Sequence, residues 1–322
     1  MEPKIIVIVG PTCSGKTSLS LLLAEKLNAE IISADSRQIF KYLDIGTAKP
    51  SRQNLEKVKH HFIDVLEPDE NYNVSRFENE ANLVIKNILS RNKLPIVVGG
   101  SGLYIKALVD GIFDEVDIDQ DYRNELFEQK KIYGNEFLYS ELIKVDPESA
   151  AKMLPQNWKR IIRALEVFHL TGKPIGLHQK EHKRQTDFKF LQFGLNWERP
   201  ILYENIEHRV DEMLELGLVE ETKNILEKGF DRNLNALNTV GYKEIISFLD
   251  GSIKIERAIE LIKRNTRRFA KRQLTWFRAD KRIIWLDINS TFQSGNNKYE
   301  QTDLKKDLEN IADEIIRREE LG

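Results

Sequence analysis

The sequence predicts an α/β fold: a P-loop-type parallel β-sheet with helices on both faces, plus an inserted all-helical subdomain. Three observations lead there. Short β-branched runs alternate with helical patterns, and the first run ends in the glycine loop GPTCSGKT. Strands then cease over residues 114–190 before resuming.

KIIVIV (4–9) reads as a buried strand and residues 17–27 as a helix, with Leu19, Leu22, Leu23 and Leu27 on one face. AEIISA (29–34), HHFIDV (60–65) and KLPIVVGG (93–100) follow as strands, and QFGLNW (192–197) and RIIWLD (282–287) as later ones. Residues 199–280 are helical, with breaks around 229–237 and at Gly251. The expected division is a catalytic core from residues 1–113 and 191–288, a helical subdomain over 114–190, and a tail over 289–322 without an assignable role. The tail opens on NSTFQSGNN (289–297), a flexible-loop composition.

Charge and cysteine usage narrow the class. Lys plus Arg number 49 against 51 Asp plus Glu, so any case for nucleic acid rests on where the cations sit. Cys13 is the only cysteine, which excludes a disulfide framework and a cysteine-rich zinc site and fits a reducing cytoplasm. The apolar run 5–9 is too short to span a bilayer, so no membrane partner is expected. The six histidines are scattered and read as structural.

Gly10, Gly15, Lys16 and Thr17 satisfy G-x-x-x-x-G-K-[ST] between a strand and a helix. Backbone N–H groups around Cys13 to Thr17 would cradle phosphate at a helix N-terminus, Lys16 would neutralise it, and the Thr17 hydroxyl suits Mg²⁺. A nucleotide hydrolase also needs a carboxylate after an apolar strand. The candidate strand 94–98 ends instead in Gly99-Gly100-Ser101-Gly102, and Asp64 follows only a weak strand. Asp35 closes strand two, where the binding crevice of an open α/β sheet lies. It is placed to take a proton from an attacking nucleophile, or simply to cap a turn; spacing alone leaves both open. The 99–102 turn likewise either admits a ligand to the backbone, with Ser101 donating, or has no partner.

Two basic surfaces stand out. Arg264, Arg267, Arg268, Lys271 and Arg272 share one helix face, with Ala258, Ile262, Phe269 and Trp276 roughly opposite. A one-sign stripe asks for a polyanion, unless acidic helices cover it. Lys159, Arg160 and Arg163, then KEHKR (180–184), form the second patch. RNA or DNA is therefore an expected partner.

Assembled, these segments resemble the bacterial tRNA dimethylallyltransferases, or isopentenyltransferases. The resemblance runs from Lys4 to about Asp280. It rests on GPTCSGKT, ISADSRQIFKYLDIGTAKP (32–50), VVGGSGLYIKAL (97–108), KRIIRALEVF (159–168), HRVDEML (208–214), VGYKE (240–244) and TRRFAKRQLTWFR (266–278). It implies transfer of a dimethylallyl group from dimethylallyl diphosphate to N6 of the adenosine just 3′ of the anticodon. The glycine loop (Gly10, Pro11, Thr12, Cys13, Ser14, Gly15, Lys16, Thr17) would then hold the diphosphate, so no water-activating carboxylate is required.

The same resemblance makes Asp35 the general base, places Thr17 near the diphosphate with Mg²⁺, and makes Arg209 a diphosphate ligand, although Arg209 could simply pair with Glu212. It assigns contact with the tRNA anticodon stem-loop to Asp35, Ser36, Arg37, Gln38, Ser101, Arg123, Lys159, Arg160, Ile161, Ile162 and Arg163. Arg268, Lys271 and Arg272 belong to a further basic element of the family. A monomer is expected. Departures are modest: Cys13 for the usual Ala, Ser101 for Thr, and Phe40 and Phe269 for Tyr. Two other classes keep the cradle: a small-molecule or nucleoside kinase, and a non-catalytic RNA-binding nucleotide sensor.

Overall fold

The structure, a computed structural model, describes residues 2–112, 119–181, 187–288 and 301–321. It divides into two compact units, Met1–Ile105 with Thr186–Gly322, and Lys106–Gln185. The insertion expected at 114–190 thus separates at 106 and 185. The end of one helix leaves with it, and the next strand begins at Lys189 rather than 192.

The larger unit is built on a six-stranded, wholly parallel sheet in the order β3-β2-β4-β1-β5-β6. Its strands are β1 (Lys4–Val9), β2 (Ala29–Ser33), β3 (His60–His61), β4 (Leu94–Gly99), β5 (Lys189–Asn196) and β6 (Ile284–Asp287). Residues 5–9 are 0 % exposed, because β1 lies between β4 and β5 with layers on both faces. That is why its sequence is continuously apolar rather than alternating. The chain leaves β1 toward β2 on one side and reaches β5 on the other, so the strand order reverses at the carboxyl end of β1. This is the position at which open α/β sheets bind ligands.

The unit's helices are α1 (Lys16–Leu27), α2 (Arg52–Lys57), α3 (Val74–Ser90) and α4 (Gly102–Asp110), then, after the insertion, α9 (Arg199–Glu215), α10 (Leu218–Glu227), α11 (Tyr242–Leu249), α12 (Ile255–Arg278) and α13 (Gln301–Leu321). Helix α1 stops at Asn28, whose left-handed backbone lets its N–H reach the Ala24 carbonyl. The third strand is two residues long instead of six, because Phe62 (φ 64°) and Asp64 (φ 54°) turn out of extended conformation.

The C-terminal segment, expected as a tail without a role, belongs to the core. Leu308, Ile311, Ala312 and Ile315 of α13 are buried in one cluster with Leu19, Leu23, Phe193 and Trp197. Lys26 of α1 also pairs with Asp313 at 2.6 Å. NSTFQSGNN lies outside the described residues.

The smaller unit is helical throughout its described residues: α5 (Gln120–Val145, broken at Gly134), α6 (Pro147–Ala150), α7 (Trp158–Thr171) and α8 (Ile175–Glu181). It has its own core of Leu126, Leu138, Leu142, Ala150, Ile161, Ile162, Ala164 and Leu165. Among the described residues no helix is long and apolar enough to cross a membrane.

Far from the carboxyl ends of the strands, β2 buries Glu30 at 1 % exposure under Arg91, Lys93 and His61. The Arg91 guanidinium, aided by His61 and Lys93 and opposed by burial, holds the Glu30 carboxyl well below its ordinary 4.5. A depressed folded pKa contributes stability that is fully present above about pH 4.5 and lost as pH falls. Glu30→Gln should therefore destabilise by about 2 kcal/mol at pH 7. In urea titrations the gap to wild type should close as pH falls below 4.5.

Candidate active site

At the carboxyl ends of β1, β2 and β4 lies a cleft of about 890 Å³. Thr12 to Thr17 line it on one side, with Asp35, Ser36, Arg37, Gln38, Ser101, Arg209 and Arg272 around them. Residues as far apart in sequence as Thr12 and Arg272 meet here.

The cradle takes its shape from backbone turns that most residues avoid. Cys13 (φ 62°) and Gly15 (φ 86°) are left-handed, which turns successive N–H groups toward one point. Gly10 and Pro11 sit behind this wall. The loop is fastened from outside: Trp197 Nε1, following β5, donates to the Ser14 carbonyl at 3.0 Å. The Ser14 hydroxyl is buried without a partner among the described residues.

Lys16 Nζ donates to the Pro11 carbonyl at 2.5 Å. Burial pushes its pKa down to about 8; Cys13 and Asp35 oppose that shift and Arg209 adds to it. A phosphate in contact raises it again.

Arg209 comes from α9 to the cradle, its Nη1 lying 3.6 Å from Cys13 Sγ. The alternative pairing with Glu212 is not made, since Glu212 is taken by His208 at 3.3 Å. Asp64, the weak candidate for a metal-holding carboxylate, is bound by Lys49.

Asp35 makes the turn that the sequence allowed and keeps one oxygen over. Its Oδ1 accepts the N–H groups of Arg37 (2.8 Å) and Gln38 (3.4 Å), which makes a turn, while Oδ2 carries no hydrogen bond among the described residues. The turn holds the carboxylate facing the cleft. Ser101 supports it from the turn after β4: its hydroxyl accepts the Ser36 N–H at 3.0 Å.

The glycines around Ser101 have partners. A Cβ on Gly99 would stand 2.1 Å from the Ala34 carbonyl, one on Gly100 2.1 Å from Gln273 Nε2, and one on Gly102 2.3 Å from the Trp276 ring. Gln273 is a functional residue that sequence reasoning missed. From α12 it accepts the Thr12 N–H at 2.8 Å and donates to the Gly100 carbonyl at 3.0 Å, bolting the cradle to the turn after β4.

The face of α12 differs from the expected one. Its buried residues are Ala258, Ile262, Ala270, Gln273 and Phe277, whereas Phe269 and Trp276 are over a third exposed and line the cleft. The basic stripe divides accordingly. Arg267 pairs with Glu207 and Lys263 with Asp211, both on α9. Arg264 is partly buried, Arg268 and Lys271 are exposed, and Arg272 reaches the cleft beside Phe269.

In the helical unit, Ile161 and Ile162 are 0 % and 3 % exposed, so their side chains serve that unit's core rather than a partner. Lys159 and Arg160 are exposed on the same helix. Arg123 and Arg163 each donate to one oxygen of the fully buried Glu166 at 2.7 Å. Most of KEHKR lies outside the described residues.

Among the described residues no group of three or more His, Cys, Asp or Glu could hold a metal ion. The Thr17 hydroxyl, exposed in the cleft, fits a cation that keeps its waters and arrives on substrate phosphates, which is the habit of Mg²⁺.

A parallel sheet with a glycine loop of phosphate-cradle shape at its first βα turn, a carboxylate beside it and an arginine reaching in defines a P-loop-type protein. A family model described as IPP transferase matches residues 38–280. The tRNA dimethylallyltransferase of Pelotomaculum thermopropionicum is 47 % identical over 98 % of this chain and 96 % of its own. That of Carboxydothermus hydrogenoformans is 46 % identical, over 98 % and 97 %.

Among solved structures, the full-length tRNA isopentenylpyrophosphate transferase of Bacillus halodurans superposes with a TM-score of 0.69 at 39 % identity, covering 99 % of this chain and 97 % of that one. A eukaryotic dimethylallyltransferase acting on tRNA gives 0.80 at 30 % identity, covering 98 % and 80 %. The chain belongs to the IPP transferase family.

Replacing Gln273 by Leu removes the partner of the part-buried Thr12 N–H and strands the buried Gly100 carbonyl. The variant should lose about 1–3 kcal/mol of stability. Titration calorimetry with inorganic diphosphate should find affinity about tenfold lower, a change of about 1.4 kcal/mol.

Proposed function

We propose that this enzyme transfers the dimethylallyl group of dimethylallyl diphosphate to N6 of the adenosine 3′-adjacent to a tRNA anticodon, releasing diphosphate. The observation that carries this reading is the convergence, in one cleft, of the cradle, Arg209 and a turn-fixed Asp35. It occurs in a chain 47 % identical to a tRNA dimethylallyltransferase over nearly its whole length.

An amine conjugated to a purine ring is a poor nucleophile, but an allylic carbon tolerates cationic character as its leaving group departs. The bond from N6 to the allylic carbon forms as the carbon–oxygen bond breaks, and the electron pair leaves on the diphosphate. Cradle N–H groups, Lys16 and Arg209 stabilise that developing charge. Bound Mg²⁺, held by Thr17 and the diphosphate, would add Lewis-acid stabilisation of the same oxygens. Asp35 takes the N6 proton on its free oxygen. The base must leave its stack to enter the cleft, a flip costing a few kcal/mol. Lys159, Arg160, Arg268 and Lys271, exposed cations on two helices, are proposed to grip RNA phosphates without reading sequence.

Incubating the protein with Mg²⁺, dimethylallyl diphosphate and unmodified tRNA should yield isopentenyladenosine in mass spectra of the digested RNA. ATP turnover without RNA, and no prenylated base, would instead establish a kinase. Asp35→Asn keeps an acceptor for the turn but cannot take the proton. Transfer should fall about 10²- to 10⁴-fold with tRNA binding retained. Removing Lys159 and Arg160 together should weaken tRNA binding and lower the slope of log affinity against log salt by about one to two. An unchanged slope would make them solvated surface.

A further inference from the structure

We infer that Glu221 and Tyr242, neither of which lines the cleft, are positioning residues that hold its RNA-facing wall, the segment D-I-G-T-A-K-P at 44–50. Gly46, Thr47, Ala48, Lys49 and Pro50 of this segment line the cleft, yet the segment has no regular structure to fix it. Its backbone bonds must therefore be made elsewhere.

The Ala48 and Lys49 N–H groups bond back to the Ile45 and Asp44 carbonyls, and the N–H groups at the segment's start are taken by one carboxylate. The consecutive N–H groups of Asp44 (3.2 Å), Ile45 (2.9 Å) and Gly46 (3.3 Å) all donate to Glu221 of α10. The Tyr242 hydroxyl, at the start of α11, donates to the same carboxylate at 2.5 Å and accepts the Gly46 N–H at 3.1 Å. The Tyr242 ring is fully buried against Gly46, where a Cβ would stand 2.4 Å from a ring carbon. Glycine at 46 is thus required by tyrosine at 242, which joins two sequence motifs, D-I-G-T-A-K-P and V-G-Y-K-E, that the reaction itself does not explain.

The hold passes on toward the reacting groups. Gln38 Nε2 donates to the carbonyls of Thr47 and Ala48, each at 3.2 Å, and the Gln38 N–H shares Asp35 Oδ1. Glu221 is thereby linked to the catalytic carboxylate through the segment and Gln38. Ala48 (φ 50°) and Tyr42 (φ 68°) are non-glycine residues held left-handed, a strain that persists only where surrounding bonds enforce it. Lys49, its side chain 4 % exposed, pins the segment's far end through Asp44 and the Phe40 carbonyl. The cradle takes no part in this chain of bonds. Loss of the hold should disturb RNA and spare diphosphate.

The inference rests on the tRNA-prenylation reading, and the two fail differently. If the wild-type protein prenylates no RNA, the reading is lost; if it does and the variants match it, only the positioning role is lost. In Glu221→Gln and Tyr242→Phe, KM for tRNA should rise about ten- to hundredfold, while the Kd for dimethylallyl diphosphate stays within about twofold. A purely structural role would lower the melting temperature and leave tRNA KM unchanged below it, which overturns the proposal; so would an equal loss of diphosphate affinity. Tyr242→Phe removes a single hydroxyl and decides the matter should Glu221→Gln fail to fold. Should neither fold, rapid hydrogen exchange at the amides of residues 44–46 in the wild-type protein would also overturn it, and slow exchange would support it.

Discussion

Lys16 and Arg209 are held close together at the mouth of a sheet with an apolar interior, and burial lowers the Lys16 pKa. Burial disfavours the charged form of Lys16 until an anion joins it. Much of the larger unit can be understood as the structure needed to maintain this arrangement. The packed strand β1 anchors the loop from below, Trp197 fastens the Ser14 carbonyl, and Gln273 fastens the Thr12 N–H. Helix α13 braces the same region, with Leu308 and Leu304 within 4 Å of where a Gly15 side chain would begin. Electrostatic preorganisation of this kind is the larger part of catalysis when charge develops on a leaving group.

Around the cradle the walls of the cleft are irregular backbone, and irregular backbone must find partners for its polar groups. Here side chains from distant helices and one turn supply them: Ser101 for the Ser36 N–H, Gln273 for Thr12 and Gly100, and Glu221 for residues 44–46. This explains the density of glycine. Gly46, Gly99, Gly100 and Gly102 each lie where an added Cβ would strike a neighbouring residue, a requirement of close approach rather than of flexibility. Gly99 and Gly100 meet backbone and a buried amide, and Gly46 and Gly102 meet aromatic rings.

The strands and the cradle were legible because their determinants are local. Five consecutive β-branched residues before a glycine loop have few alternatives, and β1 has the limits its pattern predicts. Asp35 and Arg209 were legible as candidates through the motifs that carry them. What failed was reasoning that needed distant partners. The pattern of α12 assigned Phe269 and Trp276 to the interior, and could not reveal that its buried face carries a glutamine bonded to two remote loops. Ile161 and Ile162 stood within a basic motif, yet their neighbours in space are Leu126, Leu138 and Leu142. The tail looked polar because only one stripe of α13 is apolar, and the cluster that stripe completes is formed mainly by other segments.

The amino-acid sequence alone determined the sheet, the phosphate cradle and the family, since each is written in short contiguous runs whose conformation is set by their own side chains and glycines. Tertiary structure alone decided which polar side chains hold the cleft in shape, which cations of α12 are paired to α9 and which stay exposed, and that the last helix belongs to the core. The physical reason is that hydrogen bonds and ion pairs join residues far apart in the chain, such as Thr12 and Gln273 at 261 positions, and no local periodicity encodes such a partner.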